Sequence, residues 1–207
     1  MLYKPPSEGD RHGRASTPAE ELKIVVAGGF GVGKTTMITT LSEIEPLTTE
    51  ETLTVASAGV DDLEGIADKS VTTVAMDFGR ITFADPHSLI LFLFGTPGQE
   101  RFWFFWDDLS YGAVGAVVLV DTRRLPDSFA AVNWCEERGL PFVIAINEFD
   151  GAFRYTPDEV RQALRLASRI PVMTCDVRQR SSAKHVLITL VRRSIELRGV
   201  SSSGALT

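Results

Sequence analysis

The sequence predicts an α/β domain built on a mainly parallel sheet with helices on both faces, and three observations carry that prediction. Short apolar runs rich in β-branched residues alternate with segments whose apolar residues recur at helical spacing. The first run leads through a glycine-rich turn, Gly28-Gly29-Phe30-Gly31-Val32-Gly33-Lys34-Thr35, straight into a helix. Two neighbouring runs, Val71 to Phe83 and Ser88 to Phe94, are separated only by Ala84-Asp85-Pro86-His87, so one antiparallel hairpin joins an otherwise parallel sheet. Right-handed crossovers gather the loops that follow the strands at one edge, where ligands of open α/β sheets bind.

Taken in order, Met1 to Glu20 mix Pro, Gly, Ser, Arg and acids without a hydrophobic period, so residues 1–20 are expected to form a disordered or partner-ordered arm. The domain proper runs over 21–198, with 199–207 as a flexible tail. Leu22 to Ala27 is the first strand, and Met37, Ile38 and Leu41 mark the buried face of the helix after the turn. From Ser42 to Lys69 the chain is crowded with acids, a long connection expected to be mobile and functional. The hairpin follows, then a loop from Gly95 to Gln99 and the aromatic run Phe102 to Trp106. Five successive aromatics cannot share one helix face, so some are expected to face a partner.

Ala113 to Val120 and Pro141 to Ile146 read as buried strands, with a helix from Pro126 to Arg138 between them that Gly139 stops. Thr156-Pro157-Asp158-Glu159 is a capping box with proline at the first helical position, starting a helix that turns Val160, Leu164 and Ala167 inward. Ile170 to Thr174 closes the sheet. Ser181 to Leu197 is a final helix burying Leu187, Leu190, Val191 and Ile195.

Composition narrows the function. A chain of 207 residues, 44% hydrophobic and 23% charged, suits one compact domain with loose ends. Its net charge of -6 argues against a general nucleic-acid binder. Apolar runs far shorter than the ~20 residues of a bilayer span predict no transmembrane segment. Cys135 and Cys175 lie far apart and no signal segment leads the chain, which points to a reducing, cytoplasmic setting. The spacing of His12, His87 and His185 suits no zinc site.

The glycine-rich turn fits G-x-x-x-x-G-K-[ST]. Gly28, Gly31 and Gly33 let the backbone bend around an anion, and successive N–H groups at a helix start then face phosphate oxygens. Phe30, Val32 and Thr36 complete that cradle. Lys34 is placed to neutralise the β and γ phosphates and Thr35 to hold magnesium. Thr73 opens the hairpin where a hydroxyl can reach the metal, Gly98 can donate an N–H to the γ phosphate, and Gln99 can orient a water for in-line attack. Asn147-Glu148-Phe149-Asp150 ends a buried strand, and the Asp150 carboxylate can accept both edge N–H groups of guanine.

On these residues the chain resembles a Ras-like small GTPase from Leu22 to Leu197, with Gly95-Thr96-Pro97-Gly98-Gln99-Glu100-Arg101-Phe102 similar to the second switch. More narrowly it resembles bacterial members encoded beside roadblock-type partners. The resemblance implies a P-loop NTPase G-domain fold with a six-stranded, mostly parallel sheet and one antiparallel strand. It further implies GTP or GDP with magnesium as ligands, and slow hydrolysis in a signalling switch whose first and second switches span 42–73 and 95–110. By the same resemblance Lys34, Thr73 and Gln99 are catalytic, Thr35 and Thr73 hold the metal, and Asn147, Asp150, Cys175 and Asp176 meet the base.

Departures are informative. Gly95 stands where the family has a magnesium-associated aspartate, Glu148 replaces a lysine that covers the base, Phe30 is bulky near the γ phosphate, and Asp176 puts an acid beside the guanine oxygen. Those changes favour binding over turnover. They leave open a non-hydrolysing scaffold that keeps the domain's shape, and an ATP-using P-loop kinase.

Overall fold

The computed structural model describes residues 19–45, 47–54, 71–83, 89–98 and 104–203. Most of the expected N-terminal arm, the acidic stretch 55–70 and the Ala84 to His87 turn lie outside the described residues. In chain order the elements are β1 (Glu20–Ala27), α1 (Lys34–Leu41), β2 (Leu47–Thr54), β3 (Val71–Phe83), β4 (Leu89–Gly95), α2 (Phe104–Ser110) and β5 (Ala113–Val120). A 3-10 turn over Thr122–Ser128 leads to α3 (Phe129–Glu137), then β6 (Phe142–Asn147), α4 (Pro157–Ala163), β7 (Val172–Cys175) and α5 (Arg180–Ser203).

These strands form one sheet in the order β2-β3-β4-β1-β5-β6-β7. β1 lies parallel between β4 and β5, β6 and β7 continue the parallel run, and β3 is antiparallel to both its neighbours. The expected six-stranded, mostly parallel sheet with one antiparallel strand is therefore there, and β2 adds a seventh strand at its edge. Over Leu47–Thr54 the expected long connection is thus a strand rather than a loop. Its threonines suit a pleated ladder, and its glutamates suit an edge that must not pair with other chains.

Alternation along β1 shows why the central strands are apolar at every position. Ile24 and Val26 face a core shared with Met37 and Ile38 of α1 and Leu187 and Leu190 of α5. Val25 and Ala27 face the other core, with Trp106 of α2, Ala131 and Val132 of α3 and Val160 of α4. Helices on both faces follow from this two-sided burial.

Three boundaries differ from expectation for local reasons. Pro126 sits in the 3-10 turn, so α3 starts at Phe129. α4 stops at Ala163 because Leu164 caps it and Arg165 takes φ 54°, which leaves Ala167 packed beyond the helix. α5 continues to Ser203, past residue 199 where a flexible tail was expected. Ile195, expected inward, is 63% exposed. Ser194 takes the buried place instead, in step with Leu187 and Leu190, and its Oγ donates to the Leu190 carbonyl at 2.9 Å. No helix among the described residues is long and apolar enough to cross a membrane.

Candidate functional site

Parallel order puts the ends of β1, β5, β6 and β7 at one sheet edge, and the candidate residues gather there. The turn after β1 works only with glycine at two places. At Gly28, with φ 140°, a Cβ would lie 2.5 Å from the Leu119 carbonyl oxygen; at Gly33, with φ 104°, it would lie 2.7 Å from Asn147 Nδ2. Gly33 caps α1, so the amides of the first helical turn open toward the loop. Val32 faces the core, whereas Phe30 is exposed at the rim.

Lys34 closes the loop from inside. Its Nζ donates to the carbonyls of Gly28 at 2.9 Å and Gly29 at 2.8 Å. Burial pushes its pKa down to about 8, with the Asp77 charge partly opposing. An ammonium held against two neutral carbonyls with little water is poised for an anion.

Phe30, Lys34, Thr35, Thr36, Thr96 and Gly98 are among the residues that line a cleft of about 470 Å³, and Asp77 of β3 reaches into it. The Thr35 hydroxyl donates to Asp77 Oδ2 at 2.6 Å. A Cβ on Gly95 would lie 3.3 Å from that same oxygen, so the Asp77 carboxylate fills the room that a side chain at position 95 would take. Sequence reasoning missed Asp77; its signal was a lone acid inside an apolar strand. The donor set fits a hard divalent cation, which takes oxygen ligands and keeps several waters. Thr96 Oγ1 supports that fit, being buried, on a residue that lines the same cleft, and lacking a partner among the described residues.

On the other side of the cleft, a Cβ at Gly98 would lie 2.7 Å from Lys34 Nζ and 2.8 Å from Phe30 Cα. The loop after β4 therefore lies directly against the cradle. Trp106 pins it, its indole Nε1 donating to the Pro97 carbonyl at 3.1 Å while its ring meets Trp134 edge-on, centroids 5.3 Å apart. Gln99 lies outside the described residues, as do Phe102 and Trp103 and the side chain of Thr73, whose backbone is in β3.

Asn147 ties the cradle to the corner after β6. Its Nδ2 donates to the Val32 carbonyl at 2.9 Å, and its Oδ1 accepts the Val177 N–H at 3.3 Å. Beyond it, Asp150 carries a carboxylate 84% exposed, and Arg178 forks onto it. The hydrogen bonds from Arg178 hold the Asp150 carboxyl below the usual carboxylate range. Glu148, the acid in a lysine's place, is paired with Arg154, and the Arg123 guanidinium lies 3.8 Å over the Phe149 ring.

Cys175 ends β7, and Asp176 follows it. The Asp176 carboxylate turns to Arg178 and Gln179, so its charge is neutralised by neighbours. Its amide donates to Ser182 Oγ at 3.1 Å. Cys175 is buried and free, and burial raises its thiol pKa.

A protein-family profile described as "Conserved hypothetical ATP binding protein" matches residues 26–197. Among curated proteins, the uncharacterized protein MJ1339 of Methanocaldococcus jannaschii is 29% identical over 133 residues, 63% of this chain and 72% of that protein. These findings correct the Ras-like assignment and, with it, the roadblock-associated subgroup. The physical reason lies in the motifs used. A glycine cradle serves any phosphate tail, and single residues such as Gln99, Asn147 and Asp150 answer to the chemistry of a ligand, so these motifs point to a nucleotide site without identifying a family.

Proposed function

The chain belongs to the family of conserved hypothetical ATP-binding proteins, and from that premise we propose a nucleotide switch that prefers guanine and hydrolyses its triphosphate slowly. Nucleotide binding follows from the family; the base and the chemistry are the proposal. Asp150 carries the base preference. Asn147 fixes the start of that loop against the phosphate cradle, and the Asp150 carboxylate accepts a pair of adjacent N–H donors, which guanine offers and adenine does not.

At the phosphate end, Lys34 and the amides of the turn hold the β and γ phosphates, and Gly98 donates its N–H from the opposite wall. Thr35 and Asp77 hold magnesium, directly or through water. Held by these two side chains, magnesium would supply positive charge against the charge that develops on the phosphates. Gln99, next to Gly98, orients the attacking water. Asp77 is the one carboxylate among the described residues that line this cleft, which supports turnover that is slow by itself and quickened by a partner supplying further charge.

Calorimetric titration with GTP, GDP and ATP, in magnesium and then in EDTA, tests this reading. GTP and GDP should bind about 10- to 150-fold more tightly than ATP, the factor that one hydrogen-bonded charged group contributes. Asp150→Asn should erase that difference without loss of ATP binding, and Asp77→Ala should remove most of the response to magnesium. Equal or tighter binding of ATP would favour the second reading, ATP held by its phosphates alone, which the family's description supports. Phosphate release in a single turnover separates a hydrolase from a scaffold.

A further inference from the structure

We propose that Arg178 is a built-in competitor for the base, latching onto Asp150 with the same donor pattern that guanine presents; this rests on Asp150 reading the base. Arg178 Nη1 donates to Asp150 Oδ2 at 2.7 Å, and Nη2 donates to Oδ1 at 3.1 Å. Two N–H groups on one carbon, aimed in parallel at both carboxylate oxygens, are also what the ring N–H and exocyclic amine of guanine offer. Both forks need the front edge of one carboxylate. Only one can have it.

The two grips on Arg178 differ in strength. On one side Asp176 is only 12% exposed and accepts from Arg178 Nε at 2.9 Å, from Nη2 at 3.1 Å and from the Arg178 amide at 3.0 Å. On the other side Asp150 stands in solvent, where an ion pair is weak. The guanidinium therefore stays tethered to Asp176 while its contact with Asp150 opens and closes. Both acids favour its charged form, so the latch stays positive at every physiological pH.

Apparent affinity for a base that needs Asp150 falls by the fraction of molecules in which the latch is open. An exposed pair of this kind lowers that fraction about two- to fivefold. ATP, which makes no use of the carboxylate, is untouched. Base preference is thus tempered by a contest between the base and a side chain 28 residues away in sequence for one carboxylate.

Titrating the full-length protein with GTP and ATP in magnesium tests the latch. Arg178→Ala and Arg178→Gln should each bind GTP about two- to fivefold more tightly than the unaltered chain, with ATP unchanged. Raising sodium chloride from about 0.05 to 0.5 M should narrow the gap, because screening opens the latch in the unaltered chain. GTP affinity that stays equal or falls in both variants overturns the latch and makes Arg178 a support for Asp150. Asp150→Asn separates that failure from failure of the base reading. If this variant keeps full GTP affinity, Asp150 does not read the base and both ideas fall; if it loses GTP affinity while the Arg178 variants gain none, only the latch falls.

Discussion

Replacing Lys34 with methionine is expected to abolish measurable nucleotide binding while leaving the fold at least as stable as before. Lys34 is 8% exposed and its ammonium is bonded to two uncharged carbonyls, so its burial costs free energy that only an anion recovers. Methionine fills the same channel without a charge. Two charge-assisted bonds to phosphate contribute roughly 1.5 to 3 kcal/mol each, so their loss weakens binding about 10²- to 10⁴-fold.

The same side chain sets a pH signature. Unfolded, Lys34 titrates near 10.5; folded, burial pushes it down to about 8. Between those values the unfolded chain keeps a proton that the folded protein has released. Stability therefore rises with pH across that window, by about 1.4 kcal/mol per unit, and the cost of burial is present in full below pH 8. Urea unfolding from pH 7 to 10 should show the rise in the parent chain and none in the methionine variant. A phosphate anion restores the charge, so triphosphate binding at alkaline pH takes up a proton, measurable as a buffer-dependent heat.

Gly33→Ala is expected to cost about 3 kcal/mol or more of stability and to disable binding of every nucleotide, whatever its base. Alanine at φ 104° is strained, and its Cβ would press to 2.7 Å from Asn147 Nδ2 and 3.1 Å from Val177 Cγ2. Asn147 must then release the Val32 carbonyl or the Val177 amide, and each buried group left unpaired costs about 1 to 3 kcal/mol. For a chain of this size the melting midpoint should fall by about 6 to 12 °C. Gly139→Ala is the control: its φ is 58° and, its chain neighbours aside, no atom of the described residues lies within 4 Å of the added Cβ. A fall no larger at position 33 than at position 139 would show that backbone strain alone is being read and that the Asn147 bridge carries no weight.

Chemistry confined to consecutive residues was legible in the sequence. The cradle from Gly28 to Thr35 needs only its own glycines, lysine and helix start, and the capping box at Thr156 is equally local. Apolar runs gave the sheet because strands covered on both faces leave little room for polar residues. Contacts fixed by packing were not legible. Asp77 meets Thr35 only because β3 is antiparallel to β4 and Gly79 lets α1 approach, with a Cβ there 2.8 Å from Ile38 Cγ2. The loss of a carboxylate at Gly95 was visible, but its replacement from a neighbouring strand was not. Arg178 escaped notice for the same reason, since nothing in a linear reading joins it to Asp150. β2 was hidden by its composition, threonine and glutamate being as common in loops as on exposed sheet edges. Family membership was the least legible feature, because the site's motifs answer to phosphate and base.

Trp106 reaches from the loop at Pro97 to the face of α3, with Trp134 against its edge. One residue past Pro97 the backbone lies beside Lys34, so displacement of that loop strains or frees the indole hydrogen bond and changes the angle between the two rings. Ring geometry and hydrogen bonding govern near-ultraviolet emission. The protein thus carries its own optical gauge of whether the wall opposite the phosphate cradle has shifted, readable in solution without attaching a dye.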